Sequence, residues 1–145
     1  MRFTILIITI LFAHFGFSQS TSSDNWKALG QIEYEKSTDE YGEIYVPKFG
    51  EDIKALEGKE IVLSGYIIPF EGMFEPNHLI ISSVPVASCF FCGGAGPESV
   101  AEVDLKESVK YTAKKVTVRG KLKLNSTDVD QLMYIIEEST MSIND

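Results

Sequence analysis

The segment "KKVTVRGKLKL", Lys114 to Leu124, constrains the fold more than any other stretch of the chain. Val116, Val118, Leu122 and Leu124 recur at every second position, with Thr117, Arg119, Lys121 and Lys123 between them. Period-two alternation places the two sets on opposite faces of a β-strand, one toward a core and one toward solvent. Arg119 is therefore expected to be solvated. Gly120 interrupts the apolar set, and a mid-strand glycine marks a bend or a close backbone approach. "KEIVLSGYIIPF", Lys59 to Phe70, is β-branched, aromatic, apolar on both faces, and carries Gly65 in the same way.

Three further segments read as strands: "HLIISSVPV" (His78 to Val86), "SVAEVDL" (Ser99 to Leu105) and "MYIIEESTMS" (Met133 to Ser142). "EGMFEPN" joins the first two strands of the set, and "NSTDVDQL" forms a turn before the last. Five short strands, none followed by a long amphipathic helix, fit a small closed all-β barrel. The five-stranded oligonucleotide/oligosaccharide-binding (OB) architecture is the best match, and a small β-sandwich is the alternative. The barrel domain is expected over residues 49–142.

Residues 19–48 read as a leader and a hairpin. "QSTSSDN" is a polar leader before Trp26. "QIEYEK" and "EIYVPKF" alternate around "STDEYG", with Ile32, Tyr34, Ile44 and Val46 expected to point inward. "EDIKALEG" reads as one or two helical turns, Ile53 and Leu56 facing inward and Gly58 ending them.

The first 18 residues have the pattern of a secretory signal peptide: Arg2, an apolar run from Phe3 to Ala13, then Gly16 and Ser18 before a cut. The apolar run is well short of the roughly 20 residues needed to span a bilayer, so no membrane span is expected after cleavage. A periplasmic or secreted protein follows, in a compartment where disulfides persist. Cleavage would remove Arg2 and no acidic residue, moving the net charge from −8 to −9. That balance disfavours nucleic acid, whose binding relies on Lys and Arg neutralising phosphates.

The chemistry concentrates in "SCFFCGGAGPES", Ser88 to Ser99, which holds the chain's two cysteines, Cys89 and Cys92. Haem attachment needs a histidine at position 93, which is glycine. A thiol–disulfide oxidoreductase using the same pair is the alternative from another class, although such a pair has its first cysteine at a helix N-terminus and the run from Gly93 to Pro97 is a poor opening for a helix. A soft metal ion, zinc or copper, suits two thiolates. Glu98 and Glu102 are the nearest candidates to complete such a site, a second chain could also do so, and a two-thiolate Cu(I) site needs nothing more. The third reading is structural: a disulfide-closed loop, or buried thiols anchored by Phe90 and Phe91. His78 is expected about 26 Å from Val86 along extended chain at roughly 3.3 Å per residue, and so away from the cysteines. No Ser–His–Asp arrangement is present, and nothing else singles out a catalytic set.

Several segments carry a resemblance. "FGEDIKALEGKEIVLSGYIIPFEG", "VPVASC", "GPESVAEV" and "KKVTVRGKLKLN", with Trp26 and Leu29 as a Trp-x-x-Leu start, are similar to the bacterial family called domain of unknown function 3299. The resemblance spans about residues 26–140. It implies an exported or lipid-anchored OB-like domain of unassigned activity, associated with transporter components that handle metal, zinc in particular. An envelope transporter component is thus the partner it implies. The chain departs from the family in the cysteine loop. Cys89 aligns with the family's cysteine, but Phe91 stands where a histidine is expected, and Cys92 is a second thiol.

Overall fold

In the computed structural model, residues 21–40, 42–69 and 75–144 are described. In chain order the elements are α1 (Ser22–Leu29), β1 (Glu33–Asp39), β2 (Gly42–Lys48), α2 (Glu51–Lys54), β3 (Glu60–Ile67), β4 (His78–Ser82), β5 (Val100–Leu105), β6 (Val116–Leu124) and β7 (Tyr134–Ile143). Strands β3 to β7 close a barrel in the order β3-β4-β5-β7-β6, and β6 pairs back with β3. All its pairs are antiparallel except β5 with β7. This is the OB-like barrel that the strand pattern predicts, with β1 and β2 as a separate hairpin.

The alternation read from the sequence supplies the core. Ile61, Leu63 and Ile67 of β3 meet Leu79 and Ile81, Ala101 and Val103, Val116 and Val118, and Tyr134 and Ile136. Burial of each large side chain contributes about 1.5–3 kcal/mol relative to exposure, so the barrel interior is the main source of stability. On the outer face, Arg119 pairs with Glu60 at 3.1 Å, Lys121 with Glu138 at 2.9 Å and Lys123 with Glu137 at 3.4 Å. These are exposed pairs and contribute little. Thr117 departs from its expected solvent-facing role: it is half-buried, and its hydroxyl bonds Ser64 and donates to Asn144.

Both strand glycines mark close approaches. A Cβ on Gly65 would stand 3.0 Å from the Ser82 carbonyl carbon and closer still to its oxygen. A Cβ on Gly120 would come within 2.6 Å of the Glu137 carbonyl oxygen and the Ser139 Cβ. Opposite Gly120 the register of β6 and β7 slips between Arg119 and Lys121, and Glu138 takes a positive φ of 49°. The glycine accommodates a β-bulge.

Ser22 to Asn25, within the segment read as a polar leader, are helical. Thr21 caps α1 through the Asp24 N–H, and the helix fills a gap in the barrel wall. On one side β3 pairs with β6, but on the other it meets β4 only at Tyr66 and Ile67, with a further bond from Ile68 N–H to the Ile80 carbonyl. Three backbone groups of β3 that β4 does not reach are satisfied by α1 side chains. Asn25 Nδ2 donates to the Val62 carbonyl at 2.9 Å, Trp26 Nε1 donates to the Ser64 carbonyl at 3.0 Å, and the Ser64 N–H donates to Ser22 Oγ at 2.5 Å. Leu29 then enters the core, and its carbonyl accepts from the buried Tyr134 hydroxyl at 2.7 Å.

The hairpin forms where expected, but its faces differ from the reading. Glu35 pairs with Val46 and Ser37 with Ile44, while Tyr34 pairs with Pro47. Tyr34 therefore lies on the opposite face from Ile44 and Val46, and every residue of β1 is exposed. A one-residue difference in register reverses all side chains, and nothing in the turn sequence specified it. Ile32, Ile53 and Leu56 pack on the core as expected.

Candidate functional site

Strand β4 ends at Ser82, four residues earlier than the apolar run through Val86 indicated. From there the chain folds through three single 3₁₀ turns, Val86–Ser88, Phe90–Cys92 and Pro97–Ser99, before entering β5. Cys89 lies extended between the first two turns, and its carbonyl accepts from both Cys92 N–H at 3.0 Å and Gly94 N–H at 3.2 Å. Gly93 takes φ 78°, the left-handed conformation that ends the turn. A Cβ on Gly94 would collide with the Ser88 backbone. The glycines thus fold the loop back on itself, and both sulfurs come to one place.

The Cys89 and Cys92 sulfurs stand 3.8 Å apart as free thiols. They differ sharply in exposure. Cys89 is fully buried in an apolar cluster on the outer wall of the barrel, with Ile68, Ile80 and Val100. Phe90, Phe91, Val84, Val86 and Leu132 pack against that cluster, and the two phenyl rings meet edge to face at 5.3 Å. Cys92 is exposed. Its thiol is pushed above its ordinary value, first by its hydrogen bond with Cys89, then by desolvation and by repulsion from the neighbouring sulfur. No Lys or Arg occurs in the sequence between Lys59 and Lys106. Cys92 also ends its turn rather than beginning a helix. Ending a turn is opposite to the helix N-terminal placement that activates a catalytic thiol.

The two carboxylates named with the cysteines each have partners of their own. Glu98 accepts from the Tyr34 hydroxyl at 3.3 Å, joining the hairpin to the end of the cysteine loop. Tyr34 is pushed up to about 12, first by burial, then by the Glu98 charge and the hydrogen bond to it. Glu102 lies on the outer face of β5, only 6% exposed. Its Oε1 accepts from the Leu132 N–H at 2.6 Å, and its Oε2 is 3.8 Å from His78 Nε2. His78 Nδ1 is in turn 2.7 Å from Asp104 Oδ1. Among the described residues, no group of three or more His, Cys, Asp or Glu side chains is arranged to hold a metal.

The grouping of His78, Glu102 and Asp104 was not foreseen from the sequence. A signal for it exists: Glu102 and Asp104 alternate on one face of "AEVDL", and His78 opposes Asp104 once β4 and β5 are placed in register. His78 is half-buried at the start of β4, the strand-end position expected for it.

Fold and site together define a small OB-like β-barrel domain bearing one dithiol loop on its outer wall. In comparisons with known proteins, no family model, no curated protein and no solved structure matches this chain. Among the described residues, no helix is long and apolar enough to cross a membrane. The expected signal peptide, residues 1–18, lies outside the described residues.

Proposed function

We propose that this chain is an exported, non-enzymatic accessory domain that holds a soft metal ion, zinc first, between Cys89 and Cys92. The sulfur separation carries the reading. Two Zn–S bonds of about 2.3 Å at a tetrahedral angle set their sulfurs about 3.8 Å apart, which is the separation found. A linear S–Cu–S unit needs sulfurs two full bond lengths apart, so Cu(I) would require the loop to open. Two thiolates leave half of a zinc coordination sphere to water or to a partner's donors, unlike the four protein ligands of a structural site. Such an ion is exchangeable, which suits a domain that passes metal to or from an envelope transporter component. The resemblance to the family called domain of unknown function 3299 points the same way.

Burial of Cys89 among Ile68, Ile80 and Val100 favours a second reading, an interaction domain whose cysteines only brace the fold. Equilibrium dialysis of reduced protein against Zn²⁺ separates the two. The metal reading expects one zinc per chain, lost in Cys92→Ser, which removes the exposed thiol without touching the buried cluster. No binding by the unaltered chain, or full binding by Cys92→Ser, would overturn it.

A further inference from the structure

We propose that the loop is also a site of thiol–disulfide exchange with a fixed polarity: Cys92 is the sulfur that a disulfide oxidant meets, and Cys89 is the sulfur that resolves the adduct. The inference is independent of metal binding, because it needs only the separation and unequal exposure of the two sulfurs.

The geometry supports each part. Residues three apart in one turn have Cα atoms within about 7 Å, and a disulfide accepts Cα separations of about 4.4–6.8 Å. The sulfurs, at 3.8 Å, must approach by about 1.8 Å to bond, a movement that side-chain rotation can provide. Exchange requires a thiolate to reach a disulfide sulfur in line. Cys89, with no exposed surface and Ile68, Ile80 and Val100 around it, is closed to any bulky oxidant. Cys92 is open to solvent.

The first step is attack by the Cys92 thiolate on one sulfur of an external disulfide. A Cys92–sulfur bond forms, the external S–S bond breaks, and one thiolate leaves. In the second step the Cys89 sulfur, deprotonated as it attacks, bonds to Cys92 Sγ and displaces the second external thiolate. The pair gives up two electrons and two protons, and the oxidant becomes two thiols. One oxidant molecule consumes the thiol pair, so the reaction is a stoichiometric modification of the domain rather than a turnover. The resulting disulfide removes both thiolates and closes the loop to metal.

The test treats reduced, chelator-stripped protein with oxidised glutathione and follows intact mass. The unaltered chain should lose two hydrogens and accumulate no adduct. Cys89→Ala, in which nothing can resolve the intermediate, should accumulate one glutathionyl group on Cys92. Cys92→Ser should react at least about tenfold more slowly than Cys89→Ala, because its remaining thiol is buried. Circular dichroism of both variants identifies any loss of fold, and iodoacetamide labelling of the unaltered chain provides a measurement without mutation, with Cys92 labelled first. A stable adduct on the unaltered chain, or preferential labelling of Cys89, would overturn the proposal whatever the zinc result.

Discussion

Gly65 is the position where a single added carbon should do most damage. Its missing Cβ allows β3 to lie against the Ser82 backbone, and in Gly65→Ala that carbon would overlap the Ser82 carbonyl. Real Cβ contacts under 3.0 Å essentially do not occur, so β3 and β4 must separate. Their pairing is short: Tyr66 with Ser82, Ile67 with Ile81, and the 2.9 Å bond from Ile68 N–H to the Ile80 carbonyl. Overpacking a tight site costs about 1–3 kcal/mol, and one or two weakened ladder bonds add about 1 kcal/mol each. The expected loss is therefore about 2–5 kcal/mol, or roughly 10 °C in Tm for a domain of this size. Thermal unfolding followed by circular dichroism measures it. Gly50→Ala is the control, since Gly50 has a negative φ of −70° and nothing within 4 Å of its missing Cβ. Surface changes of that kind stay within about 0.5 kcal/mol. If Gly65→Ala melts within 2 °C of the Gly50→Ala control, the close approach of β3 to β4 is wrong.

Asn25→Ala should cost about 1–3 kcal/mol in urea unfolding, because it strands the Val62 carbonyl that Asn25 Nδ2 satisfies in the barrel wall. Trp26→Phe keeps most of the apolar surface but loses the indole donor to Ser64, and a smaller loss of about 1 kcal/mol is expected. The Tyr34 hydroxyl is raised in the folded chain to about 12, so the fold is unaffected by it below its ordinary value near 10 and loses stability as pH rises from there toward 12, where the unfolded chain ionises and the folded one resists. Tyr34→Phe should flatten that part of the alkaline unfolding curve while leaving the melting temperature at pH 7 nearly unchanged. Zinc affinity should increase with pH across the thiol range, because the ion must displace protons from a pair whose exposed member is raised; a pH-independent affinity measured by competition with a chromophoric chelator would exclude thiolate ligation.

The barrel was legible because its strands carry a two-residue period. Val116, Val118 and Leu122 could face inward only if the segment was extended, and the glycines at 65 and 120 marked the two places where backbones press together. The hairpin register was not legible, since neither face of β1 is buried and no core selects one side of Tyr34 over the other. The helix within the polar leader was not legible because α1 makes its case through tertiary bonds. Ser22, Asn25 and Trp26 are ordinary helix-surface residues until the unpaired edge of β3 is known. The cysteine pair was visible as a motif, but its asymmetry was not, because burial of Cys89 depends on the outer faces of β4 and β5 being covered by the same loop. The partners of the two carboxylates were not legible either. Glu102 is held by Leu132 and His78, and Glu98 by Tyr34, through contacts 24 to 64 residues away in the chain.

The central claim, that two thiolates 3.8 Å apart grip one soft ion, is tested most directly by X-ray absorption at the zinc edge. Reduced protein loaded with one equivalent of Zn²⁺ should show two sulfur scatterers at about 2.3 Å, with the remaining shell made of nitrogen or oxygen near 2.0–2.2 Å. A zinc spectrum with no sulfur shell, or one with four sulfurs drawn from two chains, would contradict a two-thiolate site within a single domain.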